Sequence, residues 1–350
     1  MAREEEGRRL YLSILTLVSL AGVDGTYTII RRYSRGVLQE TYSVNTVLLL
    51  AEFVKVIISV FMIQCRLMKT GDRNCRRHFY LLIMRSHKMV FLALLYLVGN
   101  TISYFSLKHI GAGIFVVMAQ GKTFTTSIFS VLMLSRTFSP TRWRALLTQV
   151  LGVILFLLPT LDTQPFVSDT NRTDFVAGLM ASLLVVTISG FASCYFEYTI
   201  KNDPTDIWER NFQLGFHSIL VYLFLAITSP REDSGGIFCD WTPLASVLSL
   251  FGAVGGLLVA LSIKYAGSVL KTLAISISII YAALVDHVFM NGPLNMQMIL
   301  SAIIIIVSIT NYTFDATPIS ESSKRRVSTN DANDEIQGET TTIEKIKDEP

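Results

Sequence analysis

Residues 111–137 read GAGIFVVMAQGKTFTTSIFSVLMLSRT, a run apolar enough to cross a bilayer that still carries Gln120, Gly121 and Lys122 at its middle. For a span that begins near Gly111, Lys122 lies about 16 Å in at ~1.5 Å per residue, close to the midplane of a ~30 Å hydrocarbon layer. A lysine at that depth costs roughly 2.5–3.5 kcal/mol to insert, so it belongs in a bundle interior or aqueous cavity, facing an anion.

The composition carries that reading to the whole chain. Of 350 residues, 51% are hydrophobic and 16% charged, against about 25% charged in soluble domains, and the mean hydropathy is +0.48. The expected class is an all-α polytopic membrane protein. Cys65, Cys75, Cys194 and Cys239 lack CxxC or Cys/His spacing, so they support neither a disulfide framework nor a zinc site. A net charge of +3 is too small to imply nucleic acid. There is no HExxH, GxSxG or Walker loop, which argues against an enzyme and against a nucleotide-driven pump, and no cofactor is implied.

Apolar runs predict ten spans, at about 10–30, 44–64, 89–107, 111–134, 143–160, 175–199, 211–229, 243–263, 267–290 and 294–312. Residues 1–9 would then be an N-terminal flank, 10–313 a ten-helix membrane domain, and 314–350, polar and rich in Ser, Thr and Asp, a disordered tail. An even number of spans puts both termini on one side. With this topology 21 of the 30 Lys and Arg residues fall on that side and six on the other, so the positive-inside rule makes both termini cytosolic. Asn171-Arg172-Thr173, an N-glycosylation sequon, falls in the loop between spans five and six, on the opposite, lumenal side. Trp143, Trp208 and Trp241 stand near span starts, as an interfacial aromatic belt predicts.

Ser106-Leu-Lys-His-Ile-Gly111-Ala resembles Ser262-Ile-Lys-Tyr-Ala-Gly267-Ser at an offset of 156 residues, and both segments join consecutive spans. Five spans separate the copies, an odd number, so the halves (about 10–160 and 175–313) are expected to be inverted repeats with a site near the midplane between them. A Lys-x-x-Gly turn also suits any tight helical hairpin.

Within the spans, Glu52 and Lys55 are three apart and share a helix face, where they either neutralise each other or meet substrate. Lys271 lies about one turn into span nine, from where its stem can also snorkel to the interface. Asn100, Gln120, Asn211 and Gln213 offer amides for a base or sugar, although such groups more commonly tie helices together. Asp24, Glu197 and Asp286 complete the acidic groups. Gly252-Ala-Val-Gly-Gly256 holds a GxxxG pattern expected to pack span eight against a neighbour.

The chain resembles the Golgi nucleotide-sugar transporters of the type that carry CMP-sialic acid, UDP-galactose and UDP-N-acetylglucosamine. The likeness covers roughly residues 27–313. It rests on Tyr27-Thr28 with Arg32-Tyr33-Ser34-Arg35, Glu52 with Lys55, Val131-Leu-Met-Leu-Ser-Arg-Thr137, Tyr195-Phe196-Glu197, Trp208-Glu-Arg-Asn211-Phe-Gln213, and Gly255-Gly256 with Lys264-Tyr265 and Lys271. The resemblance implies a ten-helix drug/metabolite-transporter fold and exchange of a cytosolic nucleotide sugar, UDP-linked by analogy, for a lumenal nucleoside monophosphate. It also implies phosphate contact by Lys122 and Lys271, nucleotide contact by Asn100, Asn211 and Gln213, and a cavity-lining Glu52/Lys55 pair. Where the family commonly reads Tyr-Gln-x-x-Tyr-Gln-x-Lys, this chain has Phe115-Val-Val-Met-Ala119-Gln120-Gly121-Lys122, and the usual Lys-Gly-Phe-Ser is Lys271-Thr272-Leu273-Ala274. The alternatives are a carrier of the same fold for another organic anion, and a non-transporting scaffold for glycosyltransferases or for homo- or hetero-oligomers with sibling transporters. The expected location is the Golgi membrane, or that of the endoplasmic reticulum.

Overall fold

The computed structural model describes residues 2–70, 75–161, 172–228 and 238–315. These form eleven α-helices and, among the described residues, no strand. They are α1 (Ala2–Arg32, continued by a π-helical segment Tyr33–Val37), α2 (Val44–Thr70), α3 (Cys75–Met84), α4 (His87–Ala119), α5 (Lys122–Leu134), α6 (Pro140–Leu161), α7 (Arg172–Asn202), α8 (Ile207–Thr228), α9 (Pro243–Tyr265), α10 (Ser268–Met290) and α11 (Met296–Thr313). In a bilayer every backbone polar group must be satisfied within the chain, and an all-helical fold does this.

Nine segments among the described residues are long and apolar enough to cross a membrane, one fewer than the ten expected. The missing one is α8. Its 22 residues reach about 33 Å at ~1.5 Å per residue, and its polar groups Glu209, Arg210, Asn211 and Gln213 are confined to the first two turns. The other expected spans fall on α1, α2, α4 to α7 and α9 to α11. The charged flank 4–9 is helical and continuous with α1, and α3, too short to cross, was not foreseen. Residues 316–350, most of the expected tail, and Asn171 of the expected sequon lie outside the described residues.

Spans three and four meet inside α4 at Gly111, whose φ of 75° is open to glycine without Cβ strain. Spans eight and nine meet at Gly267 with φ 94°. The two glycines are 156 residues apart. At the far ends, α5 and α10 both close on a left-handed residue, Ser135 (φ 49°) and Asn291 (φ 52°), again 156 apart. The helix pairs follow suit: α7 packs on α4 and α5, α1 packs on α9 and α10, α2 on α8, and α6 on α11. Individual contacts correspond too. A Cβ on Gly99 would stand 3.7 Å from Ile188, and one on Gly255 would stand 3.8 Å from Val23. A Cβ on Gly190 would meet the Thr126 nitrogen at 2.8 Å, and one on Gly25 the Ser278 oxygen at 2.9 Å. In the first comparison both partners correspond, α4 to α9 at an offset of 156 and α1 to α7 at 165; in the second the glycines keep the 165 offset while Thr126 and Ser278 lie 152 apart, one helical turn short. Glycine at these crossings lets backbones approach closely, which is how helices associate where lipid removes the hydrophobic drive. Gly252 and Gly256 likewise face α2, a Cβ there lying 3.3 Å from Ala51 and 3.4 Å from Lys55 respectively, so the GxxxG expectation holds.

Outside the spans, the turn between α7 and α8 is tied down by charge. Asp203 bonds Lys88 at 2.8 Å and Arg210 at 2.5 Å. Asp206 meets Arg66 at 3.1 Å and Lys264 at 3.3 Å, and Glu209 meets His78 at 3.1 Å. The Lys88 hydrogen bond, with the Arg210 guanidinium beside it, holds the Asp203 carboxyl below its ordinary value of 3.8. The carboxylate form is therefore favoured by folding. Its contribution is complete above the ordinary value and is lost as pH falls through the lowered one. Asp203→Asn is expected to lower the melting temperature in detergent at pH 7, with the gap to the parent protein closing below about pH 4. A gap that stays constant with pH would place the effect in packing instead.

Candidate functional site

The path of the chain through the membrane is irregular just before Lys122. The Gln120 and Gly121 amides bond Val117 and Met118 three residues back, and the Thr123 and Phe124 amides do the same to Gln120 and Gly121. This 3₁₀-type tightening separates α4 from α5, and such a stretch in mid-helix often marks a functional hinge. Lys122 opens α5, whose buried side is polar: Thr123, Thr126, Ser127 and Ser130. Its ammonium makes no hydrogen bond or ion pair with any described residue. Gln120 turns its amide back onto the Val116 carbonyl at 3.1 Å.

Lys271 is buried, one turn into α10 after Gly267, and donates to the Ser193 hydroxyl of α7 at 3.0 Å. It does not snorkel to the surface. The charges of Lys122 and Lys271 act on each other, and Asp24 of α1 acts on both. The two lysines singled out from the sequence thus open neighbouring helices, α5 and α10, which pack on each other.

Glu52 and Lys55 satisfy each other: Lys55 is buried and its ammonium lies 2.5 Å from a Glu52 oxygen. With Asn100, whose amide approaches the Tyr222 hydroxyl at 3.4 Å, they line a cleft of about 380 Å³ between α2, α4 and α8. Asn211 and Gln213 are both buried and fully occupied elsewhere. Asn211 bonds the Ile207 carbonyl of its own helix at 3.0 Å. Gln213 accepts from Arg210 at 3.0 Å and donates to the Leu82 carbonyl at 2.7 Å, fastening α8 to α3. None of these three groups contacts Lys122 or Lys271.

Two charge clusters join elements distant in sequence. Glu197 is fully buried and accepts from Arg136, from Lys201 at 2.7 Å and from the Ser268 amide at 2.8 Å. It clamps the ends of α5 and α7 against the junction that leads to Lys271. Arg32 pairs with Asp286 at 2.6 Å between α1 and α10. Arg32 and Glu197 are 165 residues apart, the offset that maps α1 onto α7. Arg32 and Glu197 thus hold corresponding positions with opposite charge, while their partners Asp286 and Arg136 lie 150 residues apart, off the 156 offset. A further cavity, of about 950 Å³, runs from Arg31, Arg32 and Asp286 past Ser278 and Asp24 to Val116, against an apolar wall that includes Phe156 and Ile279.

A centre of buried cations and amides in a membrane bundle can replace the hydration of an anion. It offers no nucleophile paired with a base. The nucleotide-sugar transporter family model matches residues 8–313. Among curated proteins, the UDP-N-acetylglucosamine transporter of Rattus norvegicus is 29% identical over 323 residues, covering 89% of this chain and 98% of its own. The UDP-galactose transporter of Schizosaccharomyces pombe is 27% identical, covering 86% and 88%. The UDP-galactose/UDP-N-acetylglucosamine transporter srf-3 of Caenorhabditis elegans is 28% identical, covering 89% and 85%. A solved structure titled only as the crystal structure of a protein superimposes with a TM-score of 0.57 at 15% identity, over 84% of this chain and 97% of the other, which speaks to the fold alone. The match runs through every helix that builds the cation centre, and this membrane-embedded, multi-span chain belongs to the nucleotide-sugar transporter family.

Proposed function

We propose that the chain is an antiporter that carries a cytosolic nucleotide sugar, UDP-linked, into the Golgi lumen in exchange for a nucleoside monophosphate. The observation that carries this is Lys122, a cation inside the bundle with no protein anion bonded to it, coupled to the buried Lys271. A nucleotide phosphate completes that pair. The relatives, transporters of UDP-N-acetylglucosamine and UDP-galactose, favour UDP as the nucleotide. In this reading Lys122 and Lys271 grip the phosphates, Gln120 and Asn100 serve the nucleotide from the same interior, Glu52 and Lys55 line the cavity, and Gln213 holds α8 against α3.

The accompanying architecture is two inverted five-helix repeats with α8 as the tenth span, both termini cytosolic, and the transporter domain over residues 10–313. The corresponding glycine junctions, C-caps and helix crossings support it, as does the concentration of Lys and Arg on the terminal side. Because α1 packs on second-half helices and α7 on first-half helices, alternating access would rock two exchanged three-helix bodies about the cation centre.

Uptake into proteoliposomes with a panel of nucleotide sugars tests the reading. Preloading with UMP is expected to raise the initial rate of UDP-sugar entry. Uptake of a different organic anion with no response to nucleotides would replace the substrate. Full complementation of a glycosylation defect by a chain that transports nothing would make the protein a scaffold for glycosyltransferases or sibling transporters.

A further inference from the structure

Between the second and third spans the chain is strongly basic: residues 66–88 hold seven Lys and Arg against one acidic residue, Asp72. Helix α3 lies in this stretch, between the end of one candidate span at Lys69 and the start of the next at His87, so it sits at the membrane surface. Its inner face is fixed by packing. Leu82 is buried with Ile63 and Phe212, and the Phe79 and Phe212 rings meet edge-on with centroids 5.1 Å apart. Its outer face joins two kinds of side chain. Arg76, Tyr80 and Met84 follow one another at intervals of four residues and are all exposed, Tyr80 at 64% and Met84 at 66%, as are Arg77 and Leu81. A helical stripe that is cationic and apolar at once suits the boundary between headgroups and acyl chains.

The end of the same helix opens on a cavity of about 980 Å³. Its near wall carries Leu81, Arg85, His87 and Lys88, and its far wall is the turn between α7 and α8. On that far wall Asp203 is taken by Lys88 and Arg210, and Glu209 by His78, so the carboxylates there are already occupied. Arg85 and His87, both exposed, make no side-chain hydrogen bond or ion pair with any described residue. Arg85 therefore leaves the cavity with an excess of positive charge, and the His87 ring adds a donor. Leu81, one helical turn before Arg85, puts an apolar surface beside them.

We propose that this cavity and the outer face of α3 together bind an anionic phospholipid of the leaflet on the side of the chain termini. The headgroup phosphate meets the Arg85 guanidinium and the His87 ring, and the acyl chains run past Leu81, Tyr80 and Met84. A cluster of basic residues next to a membrane span is drawn to such lipids by the negative potential of the cytosolic leaflet, and cytosolic is the side that the topology above gives to this stretch. The inference goes beyond the substrate reading and takes only that side from it. A lipid seated here bridges α3 and the turn between α7 and α8. The protein itself joins α3 to α8 through the His78 contact with Glu209 and the Gln213 bond to the Leu82 carbonyl, so an occupied site braces a junction that already exists.

The test is a titration of the full-length protein in detergent with dioctanoyl phosphatidylinositol, read as thermal shift. Dioctanoyl phosphatidylcholine is the neutral comparison, and glycerophosphoinositol supplies the headgroup without its chains. The anionic lipid is expected to raise the melting temperature at concentrations where phosphatidylcholine does not, and to lose most of that effect at about 0.5 M salt. Arg85→Gln, which strands no partner, is expected to weaken the response about fivefold, and Arg77→Gln on the outer face of α3 by a similar factor. Equal responses to the anionic and neutral lipids overturn the proposal whatever the variants do. Binding of glycerophosphoinositol as tight as that of the lipid would make this a site for soluble phosphates and overturns it too. A selective response that both Arg85→Gln and Arg77→Gln leave unchanged places the lipid elsewhere and overturns the site. No nucleotide enters these measurements, so their failure leaves the substrate reading standing, and a protein indifferent to nucleotides leaves this inference standing.

Discussion

Replacing Lys122 with alanine is expected to reduce nucleotide-sugar uptake by about a hundredfold while leaving the protein at least as stable as its parent. A charge-assisted contact to phosphate contributes up to ~3 kcal/mol, which is roughly two powers of ten in affinity. No described residue bonds the Lys122 ammonium, so no partner is stranded when it goes. Removal also relieves the roughly 2.5–3.5 kcal/mol of inserting a lysine near the midplane. The melting temperature in detergent should therefore hold or rise. This pairing of lost transport with kept stability separates a substrate-binding lysine from a structural one. Retained uptake, or a clear fall in melting temperature, would show that Lys122 serves the fold.

Glu197→Gln is expected to do the reverse, with stability lost first. The fully buried carboxylate receives Arg136, Lys201 and the Ser268 amide. Neutralising it leaves two cations without their anion, and breaking one side of a buried pair typically costs 3–5 kcal/mol. Arg136 and Lys201 keep 26% and 46% side-chain exposure, so the lower end, about 3 kcal/mol, is expected. The measurement is thermal unfolding in detergent. Adding Arg136→Gln should recover part of the loss, because one stranded cation is then removed. An unaltered melting temperature in Glu197→Gln would mean that the clamp is not needed to hold α5, α7 and the Gly267 junction together.

The spans, the two glycine junctions and the pair of lysines were all legible in the sequence, because each is a local property. Hydropathy is an average over a window, and a lysine inside such a window is visible at once. The same averaging blurs where α8 begins, since Glu209, Arg210, Asn211 and Gln213 crowd its first turns and the expected span starts only at 211, and it passes over α3, whose ten residues are too few to register. The amides of Asn211 and Gln213 show a different limit. Their side chains are spent on Ile207, Arg210 and Leu82, and only the rotation of α8 against α3 decides that. The pairing of Arg136 with Glu197 and of Asp24 with Ser278 spans 61 and 254 residues respectively. No spacing rule reaches so far. Arg136 and Glu197 do lie in two of the stretches that carry the family resemblance, and their meeting gives those stretches a common physical task.

Gly111 and Gly267 each turn the chain with a single residue between two membrane-crossing arms. Such a corner has no slack. Inserting one residue just after either glycine would turn the following arm by about 100° about its own axis, since an α-helix advances 3.6 residues per turn. The lysine borne by that arm would then swing from the bundle interior toward the acyl chains. The eleven-residue reach from Gly111 to Lys122 and the four-residue reach from Gly267 to Lys271 act as fixed rulers, and epitope tags or fluorescent reporters belong anywhere but at these corners.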